Sequence, residues 1–204
     1  MRILVVGMGL IGGSICKSIK AATSHAVYGC DVQQAVLDDA IADGAIDGTG
    51  TMTDGTYDMI ILCLHQRIAI QMVQEALPKI PAGTILVDTC GLKGRMVRDL
   101  TYRCRKADVR YVGTHPMAGR EKNGYYASIP NLFQNANLIV TPVDGTDEAA
   151  LDTVKELADQ MGFGKIVTAT PMWHDNMIAY TSQLAHVVSS SYVKDFCMDD
   201  AVSF

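Results

Sequence analysis

The 204-residue sequence lacks several features that would place it in a specialised class of protein. It has no apolar run long enough to span a bilayer. Its formal net charge is −5 and no cluster of Lys and Arg stands out, which argues against a nucleic-acid surface. The six cysteines form no C-x-x-C pair and no metal-site spacing, so we expect free thiols in a reducing compartment and no bound metal. The first apolar segment begins at residue 3, which leaves no room for a signal peptide, and a cytoplasmic location is expected.

A glycine-rich turn follows that first apolar segment, which itself predicts a strand buried on both faces. In a dinucleotide-binding turn, Gly7 would allow the bend, Gly9 would let a pyrophosphate approach the backbone, and Gly12 would let the next helix pack closely on the sheet. The free N–H groups at the start of that helix, at Leu10 and Ile11, would face the pyrophosphate. These five residues are therefore predicted to bind a cofactor.

An acidic residue follows the second predicted strand. Asp31 lies about 20 residues beyond the last glycine, the distance at which an acid holds the adenosine ribose hydroxyls of NAD. Because Asp31 would repel a 2′-phosphate, the sequence predicts NAD rather than NADP as the cofactor. The alternative is a tight glycine turn without a ligand, with Asp31 as an ordinary loop acid.

Predicted strands and helices alternate along the chain, which is typical of an α/β fold. We predict a Rossmann-like, doubly wound and mostly parallel sheet of about seven or eight strands over residues 1–170, the NAD-binding domain. The predicted strands cover residues 3–6, 26–30, 45–50, 58–64, 84–88, 110–113, 137–141 and 165–168. The predicted helices cover residues 12–20, 33–43, 68–77, 97–105 and 148–161.

The character of the sequence changes after Pro171. Residues 173–194 lack helix breakers and predict one long helix. An apolar stripe along it is formed by Met177, Ile178, Leu184, Ala185 and Val188, and a polar seam by Thr181, Ser182, His186 and Ser189. We expect residues 171–204 to begin an all-α domain that the chain does not complete. An exposed stripe would favour aggregation, so we expect a partner chain to cover it in a homodimer.

Ligands of open α/β sheets bind at the carboxyl ends of the strands. That rule places Leu64, His65 and Thr89 at the predicted cofactor site. It also selects His115, an imidazole expected just past a strand end and held by Pro116, as a group suited to proton transfer.

Residues 113–119, Gly-Thr-His-Pro-Met-Ala-Gly, resemble the G-x-H-P-[MI]-A-G motif of prephenate and arogenate dehydrogenases. The resemblance extends over essentially the whole chain and includes the glycine-rich turn, residues 87–94 and residues 181–186. It implies a NAD-dependent oxidative decarboxylation, in which hydride leaves C4 of a cyclohexadienol ring as carbon dioxide is lost. From prephenate the product would be 4-hydroxyphenylpyruvate, the precursor of tyrosine.

The same resemblance assigns roles to particular residues. His115 matches the catalytic histidine, and His186 matches a second histidine that contacts the substrate. Glu121 matches an acid near the substrate entry, and Ser182 lies on the same polar seam as His186. For His174, which matches a common histidine of the family, we expect a structural or capping role.

Two departures from the family pattern concern the substrate site. Gly91 replaces a serine that bonds the catalytic histidine, so a water or Thr89 would have to substitute for it. The sequence ends at Phe204, before the helical C-terminal domain that in the family supplies an arginine for a substrate carboxylate, so we expect a truncated or variant chain with its cofactor domain intact. Lys93 could meet an anion, but a surface lysine is the expected role.

Three functions therefore remain open at this point. The chain is a prephenate or arogenate dehydrogenase in a shortened form, a nucleotide-binding module without turnover, or another small Rossmann enzyme such as an imine reductase or a hydroxyacid dehydrogenase.

Overall fold

A computed structural model describes the backbone of residues 1–193. It also describes their side chains, apart from those of residues 183, 185, 186, 192 and 193. Eight strands form one sheet in the order β3-β2-β1-β4-β5-β6-β7-β8. They are β1 (Arg2–Val6), β2 (Ala26–Cys30), β3 (Gly48–Thr49), β4 (Met59–Leu62), β5 (Ile85–Asp88), β6 (Arg110–Met117), β7 (Asn137–Val140) and β8 (Lys165–Thr168).

Helices connect these strands and cover both faces of the sheet. They are α1 (Leu10–Ala22), α2 (Gln34–Ala42), α3 (Gln66–Ala76), α4 (Gly94–Lys106), α5 (Glu148–Gln160), α6 (Pro171–Ile178) and α7 (Leu184–Val193). Short 3₁₀ turns span Leu77–Lys79 and Tyr125–Ala127, and a π-helical turn, Ala179–Gln183, joins α6 to α7. None of the helices within residues 1–193 is long and apolar enough to cross a bilayer.

Alternate residues of the central strands belong to two separate cores, one on each face of the sheet, as the two-residue period of a strand requires. In β1, Ile3 and Val5 join the core that packs against α1, α2 and α5. Their neighbours Leu4 and Val6 join the core that packs against α3 and α4. The expected doubly wound, mostly parallel α/β fold is confirmed.

The strand β3 is shorter than the sequence predicts. Only Gly48 and Thr49 pair with β2, although residues 45–50 are expected to be extended. Ala45 and Ile46 are buried in the core instead, because their N–H groups bond back to the carbonyl of Ala40 at the end of α2.

Basic residues concentrate on α4, contrary to the expectation that no cluster stands out. Arg95, Arg98, Arg103, Arg105 and Lys106 lie within its 13 residues and are exposed. Three of them occupy the last turn, where a cation interacts favourably with the helix dipole.

The strand β6 is longer than predicted and changes its pairing partner. It pairs in parallel with β5 as far as Gly113, and from Thr114 to Met117 it pairs antiparallel with β7. Residues 114–117 were expected to be a loop because the pattern of a parallel strand ends at Gly113. His115 consequently lies within a strand and not just past a strand end.

The helical segment after β8 begins with α6 at Pro171, two residues before the predicted start at residue 173. Thr170 caps it, since its side-chain oxygen accepts a hydrogen bond from the N–H of Trp173 (3.2 Å). The described helix reaches Val193, and the predicted end at Lys194 lies outside the described residues. The residues of the predicted apolar stripe differ in burial, since Ile178 is buried whereas Leu184 and Val188 are exposed.

Candidate active site

The glycine-rich turn has the backbone geometry that the sequence predicts. Gly7 has a φ of +93°, and a Cβ there would lie 2.5 Å from the carbonyl oxygen of Cys63. A Cβ at Gly12 would lie 1.9 Å from the carbonyl oxygen of Gly7, so the turn and α1 can be this close only without side chains. At Gly9 a Cβ would meet nothing within 4 Å, which leaves open space next to the start of α1.

The start of α1 is available to an anion. Gly9 is its N-cap and makes no side-chain capping bond, and the first turn contains no acidic residue. The first N–H groups of a helix, here at Leu10 and Ile11, have no acceptor within the helix. Together with the open space at Gly9, these groups form a cradle that fits a pyrophosphate.

Asp31 lies beside this cradle and already supports it. One carboxylate oxygen accepts a hydrogen bond from the N–H of Met8 (2.7 Å), and the other accepts one from the N–H of Gln33 (2.9 Å). A carboxylate can accept about four hydrogen bonds, so lone pairs remain for ribose hydroxyls. The predicted contact with ribose stays a prediction.

A cleft of about 480 Å³ adjoins the turn at the carboxyl edge of the sheet. Leu64 connects the two, since it lines the cleft and its Cδ2 would lie 2.7 Å from a Cβ at Gly7. The cleft is lined by Leu64, His65, Gln66, Cys90, Gly91, Leu92, His115, Pro116, Met117, Ala118, Ile178 and Ser182. Its volume is in the range of small-molecule sites.

A chain of hydrogen bonds leads from this cleft to a carboxylate on the last helix. Nδ1 of His115 lies 2.9 Å from Nε2 of His174, and Nδ1 of His174 lies 2.8 Å from Oδ1 of Asp175. Asp175 also accepts hydrogen bonds from the backbone N–H groups of Lys93 (2.7 Å) and Gly94 (2.8 Å). His174 is completely buried and bonds His115, so the expected structural role includes a direct contact with the site and not a helix cap.

The carboxylate of Asp175 determines which nitrogen atoms carry protons. Burial alone would raise its pKa, but the hydrogen bonds from Lys93 N–H, the His174 ring and Gly94 N–H lower that pKa below its usual value. Ionised Asp175 can only accept, so Nδ1 of His174 must donate to it. With both rings neutral, Nε2 of His174 accepts from Nδ1–H of His115. This leaves Nε2 of His115 as a hydrogen-bond acceptor.

The free nitrogen of His115 faces the position of Gly91. A Cβ at Gly91 would lie 3.6 Å from Nε2 of His115, which is ordinary van der Waals contact. Burial, the neighbouring His174 and the cation of Lys93 lower the pKa of His115 to about 4, against the opposing effect of two nearby carboxylates. His115 is therefore a neutral acceptor near pH 7, as a general base must be.

The expectation that Lys93 is a surface lysine is wrong. Its side chain is fully buried and pairs with the equally buried carboxylate of Asp88. Its ammonium also donates to the backbone carbonyl of Thr114 (2.5 Å). Asp88 in turn accepts a hydrogen bond from the hydroxyl of Tyr111 (2.6 Å). The pairing was missed because residues 88 and 93 are brought together only by the turn between β5 and α4.

Thr89 does not take the place of the missing serine in this structure. Its hydroxyl donates to the carbonyl of Leu62 (3.1 Å), away from His115. Gly91 therefore leaves unoccupied volume beside Nε2, into which a serine side chain at the same position would extend.

Of the remaining predicted site residues, some line the cleft and others do not. His65 and Ser182 line the cleft, whereas Glu121 is exposed and is not among the residues that line it. The side chain of His186 lies outside the described residues, although its backbone belongs to α7. Their roles stay predictions.

Two side chains of the site, Asp175 and Asp88, were not identified from the sequence. The adjacent pair His174-Asp175 at the start of a helix was the available signal for the first of them. Within residues 1–193, no group of three or more His, Cys, Asp or Glu side chains is arranged to hold a metal ion.

Two glycine substitutions should separate ligand binding from folding. Gly9→Ala should fold normally, because its Cβ meets nothing, but should weaken NAD⁺ binding by at least about tenfold by obstructing the backbone cradle. Gly12→Ala should lower the melting temperature, because its Cβ overlaps the carbonyl of Gly7. Thermal denaturation and calorimetric titration with NAD⁺ test both. Unchanged affinity in Gly9→Ala would contradict the cradle.

The protonation of His115 should follow from its surroundings. We expect its ring to titrate near pH 4 in NMR spectra, with His115→Asn used to assign the signal. Since the unfolded chain takes up this proton near pH 6.5, folding stability should fall as the pH drops from 6.5 through 4. The effect should be smaller in His115→Asn. A titration midpoint near 6.5 would show that the ring is not shielded as described.

Comparison with known proteins agrees with this geometry. The chain matches the family described as "Prephenate dehydrogenase, nucleotide-binding domain" over residues 15–168. Among curated relatives, the prephenate dehydrogenase of Bacillus subtilis is 29% identical over 195 residues, which cover 94% of this chain and 52% of the relative. The chain thus spans about half the length of that relative.

Solved structures of relatives superpose closely on this chain. A prephenate dehydrogenase from Aquifex aeolicus, in complex with hydroxyphenyl propionate and NAD⁺, has a TM-score of 0.87 at 30% identity, and covers 95% of this chain and 68% of its own. The arogenate dehydrogenase of Synechocystis has a TM-score of 0.84 at 26% identity, over 100% of this chain and 74% of its own.

The family match includes every strand from β2 to β8, and thus β6, which carries His115. The expectations of a nucleotide cofactor and of a dehydrogenase family are confirmed. The chain belongs to the family of prephenate dehydrogenase nucleotide-binding domains.

Proposed function

We propose that this chain carries the NAD site and the general base of an enzyme that oxidatively decarboxylates prephenate. The observation that carries the proposal is the orientation of His115, whose Nε2 is a neutral acceptor at the wall of a cleft adjoining the glycine-rich turn. The named relatives support the choice of reaction, since they include prephenate and arogenate dehydrogenases.

The residues at the turn fit a dinucleotide. The bare backbone at Gly7 and Gly9 and the N–H groups of Leu10 and Ile11 would hold the pyrophosphate, and Asp31 would hold the adenosine ribose. When bound, NAD⁺ supplies the acceptor for the hydride. Leu64, His65 and Thr89 are proposed to contact it at the side that faces the cleft.

His115 performs the proton transfer in the proposed reaction. As C4 of the ring gives up its hydrogen with the electron pair, its hydroxyl becomes a carbonyl and the O–H proton passes to Nε2 of His115. The electron pair of the broken bond to the leaving carboxylate moves into the ring, which becomes aromatic and releases carbon dioxide. The oxygen at C4 becomes a phenolate, which takes back the proton from Nε2 of His115, so that the product is a phenol and His115 is neutral again.

His174 and Asp175 stabilise the charge that His115 gains. The hydrogen bond from Nδ1–H of His115 to His174 becomes stronger when the first ring is protonated, and Asp175 lies at the far end of the same chain. This arrangement resembles other catalytic histidines, in which a carboxylate orients the imidazole and favours its charged form.

Substrate contacts are proposed on the opposite wall and at the entry of the cleft. Ser182 lines the cleft, and we assign a substrate contact to it, to His186 on the same helix and to Glu121 on the segment after β6. Prephenate is the proposed substrate and arogenate the alternative, because relatives of both kinds resemble the chain.

We further propose a boundary between residues 170 and 171, where the cap of α6 begins a helical unit that completes the substrate site. The exposed apolar residues Leu184 and Val188 support a homodimer as the assembled form. A cytoplasmic location is proposed from the lack of disulfide-forming or membrane-spanning sequence patterns.

The central test is formation of NADH by the purified chain. With NAD⁺ and prephenate we expect NADH, and arogenate in a parallel assay decides between the substrates. His115→Asn should lower kcat by about 10²–10⁴-fold, the usual contribution of a general base. His25→Asn, at the opposite end of β2 from Asp31, is the matched control and should retain full activity.

The outcomes of this test separate the candidate functions. NAD⁺ binding without NADH formation from either substrate would favour a nucleotide-binding module without turnover. The match to a family described as a nucleotide-binding domain supports this second candidate. Full activity in His115→Asn would remove His115 from the mechanism.

A serine introduced at position 91 should improve the site. A Cβ there fits at 3.6 Å from Nε2 of His115, so the hydroxyl of Gly91→Ser can bond the ring or the substrate. A hydrogen bond contributes about 1 kcal/mol, which corresponds to about a fivefold increase in kcat/KM. Gly91→Ala adds the same Cβ without the hydroxyl and should give no increase. Equal effects of both substitutions would show that filled volume, not the hydroxyl, matters.

A further inference from the structure

At Thr114, β6 changes its pairing partner from β5 to β7. The backbone carbonyl of Thr114 is left there without a neighbouring strand that donates a hydrogen bond to it. Thr141 N–H donates to the carbonyl of Gly113 (2.9 Å), which makes Gly113 a hydrogen-bonded position of the β6–β7 ladder. Because such positions alternate in an antiparallel pair, Thr114 and Pro116 are non-hydrogen-bonded positions. Pro116, which has no N–H, fits this register.

The carbonyl of Thr114 consequently faces β5, where the ladder has already ended. Asp88, the last residue of β5, pairs with Gly113. The next two N–H groups bond elsewhere, that of Thr89 to the carbonyl of Leu62 (3.1 Å) and that of Cys90 to the side chain of Asp88 (2.9 Å). A buried carbonyl left without a donor at this place would destabilise the strand next to His115.

The ammonium of Lys93 supplies the missing donor. It bonds the carbonyl of Thr114 (2.5 Å) and pairs with Asp88, and all three groups are buried. Asp88 is further satisfied by the hydroxyl of Tyr111 and the N–H of Cys90, so the buried charge has several partners. The hydroxyl of Thr114 donates to the carbonyl of Asp88 (2.7 Å), which ties the same two strands again.

We propose that Lys93 is a positioning residue for His115, because its ammonium replaces the absent strand partner at Thr114 and fixes the backbone from which the imidazole extends. The inference rests on the proposed function only in naming His115 as the general base. The placement of the ring itself can be tested without turnover.

The charge of Lys93 has a second effect at the same place. It contributes to lowering the pKa of His115, after burial and His174, whereas the carboxylates of Asp88 and Asp175 act in the opposite direction. A single residue thus holds the backbone at position 114 and favours the neutral, proton-accepting form of the ring at position 115.

A fully buried ion pair is not needed for stability alone, since apolar residues of similar volume often replace such pairs without loss. A purely structural role would therefore leave kcat unaffected in any variant that folds. The proposal instead requires that both the titration of His115 and kcat respond to Lys93.

The experiment compares Lys93→Met, of similar length but uncharged, with Tyr111→Phe. Both remove one partner of Asp88, but only the first removes the donor to Thr114 and the positive charge. In NMR titrations of the full chain we expect the midpoint of His115 to rise from about 4 toward 6.5 in Lys93→Met and to stay in place in Tyr111→Phe.

Kinetics give the second readout. For Lys93→Met we expect kcat to fall at least about tenfold, as expected when a base is displaced from its productive geometry, with a much smaller change in KM. The acid limb of the pH profile should move upward with the NMR midpoint. NAD⁺ affinity should remain at the wild-type value, which shows that the fold is intact.

A double variant keeps the proposal testable if Lys93→Met does not fold. Lys93→Met/Asp88→Asn removes both buried charges together with the ammonium that donates to the carbonyl of Thr114, so kcat should still fall. Wild-type kcat in a folded Lys93 variant, or an unchanged midpoint of His115 in Lys93→Met, would overturn the proposal. If wild-type protein gives no NADH, the NMR signal of the Nδ1–H that His115 donates to His174 decides: it should shift or weaken in the folded double variant if Lys93 positions the ring, and stay in place if Lys93 is only structural.

Discussion

The site depends on one carboxylate that three parts of the chain share. Asp175, on α6, accepts hydrogen bonds from the two N–H groups at the start of α4 and from the ring of His174. It therefore joins the helical segment after Pro171 to the sheet domain. The same carboxylate fixes the protons of two imidazoles, so that His115 presents an acceptor to the cleft. Folding and chemistry are thus coupled through Asp175.

Two sets of buried and half-buried polar side chains lie near this carboxylate, and their members bond one another. Lys93, Asp88, Tyr111 and Thr114 bond one another under the cleft, while His115 bonds His174 beside it. Burying charges costs free energy unless each is paired and hydrogen-bonded. The pairing seen here meets that condition, and it gives the imidazole of His115 a buried, hydrogen-bonded support instead of a solvated one.

Much of the fold and part of the site follow from the sequence. The glycine-rich turn and the alternation of strands and helices depend on local patterns, which the structure reproduces. The choice of His115 stays a prediction, and the structure adds that its ring lines the cleft. The continuation of β6 beyond Gly113 was missed because an antiparallel partner more than twenty residues away decides it.

The same reasoning explains the errors on single residues. A lysine in a polar segment is usually exposed, and only the turn after β5 brings Lys93 to Asp88. His174 was expected to be structural because its partner, His115, is 59 residues away in the chain. Long-range polar contacts of this kind leave no periodicity in a sequence.

That His115 is carried by a strand has a consequence for how such a domain can diversify. The segment that follows, residues 118–124, is mostly exposed and contributes Ala118 to the mouth of the cleft. Insertions or deletions in that segment can reshape the mouth without shifting the imidazole, because pairing with β7 sets the register of residues 114–117. The shape of the cleft mouth and the position of the imidazole are thereby encoded by separate stretches of backbone.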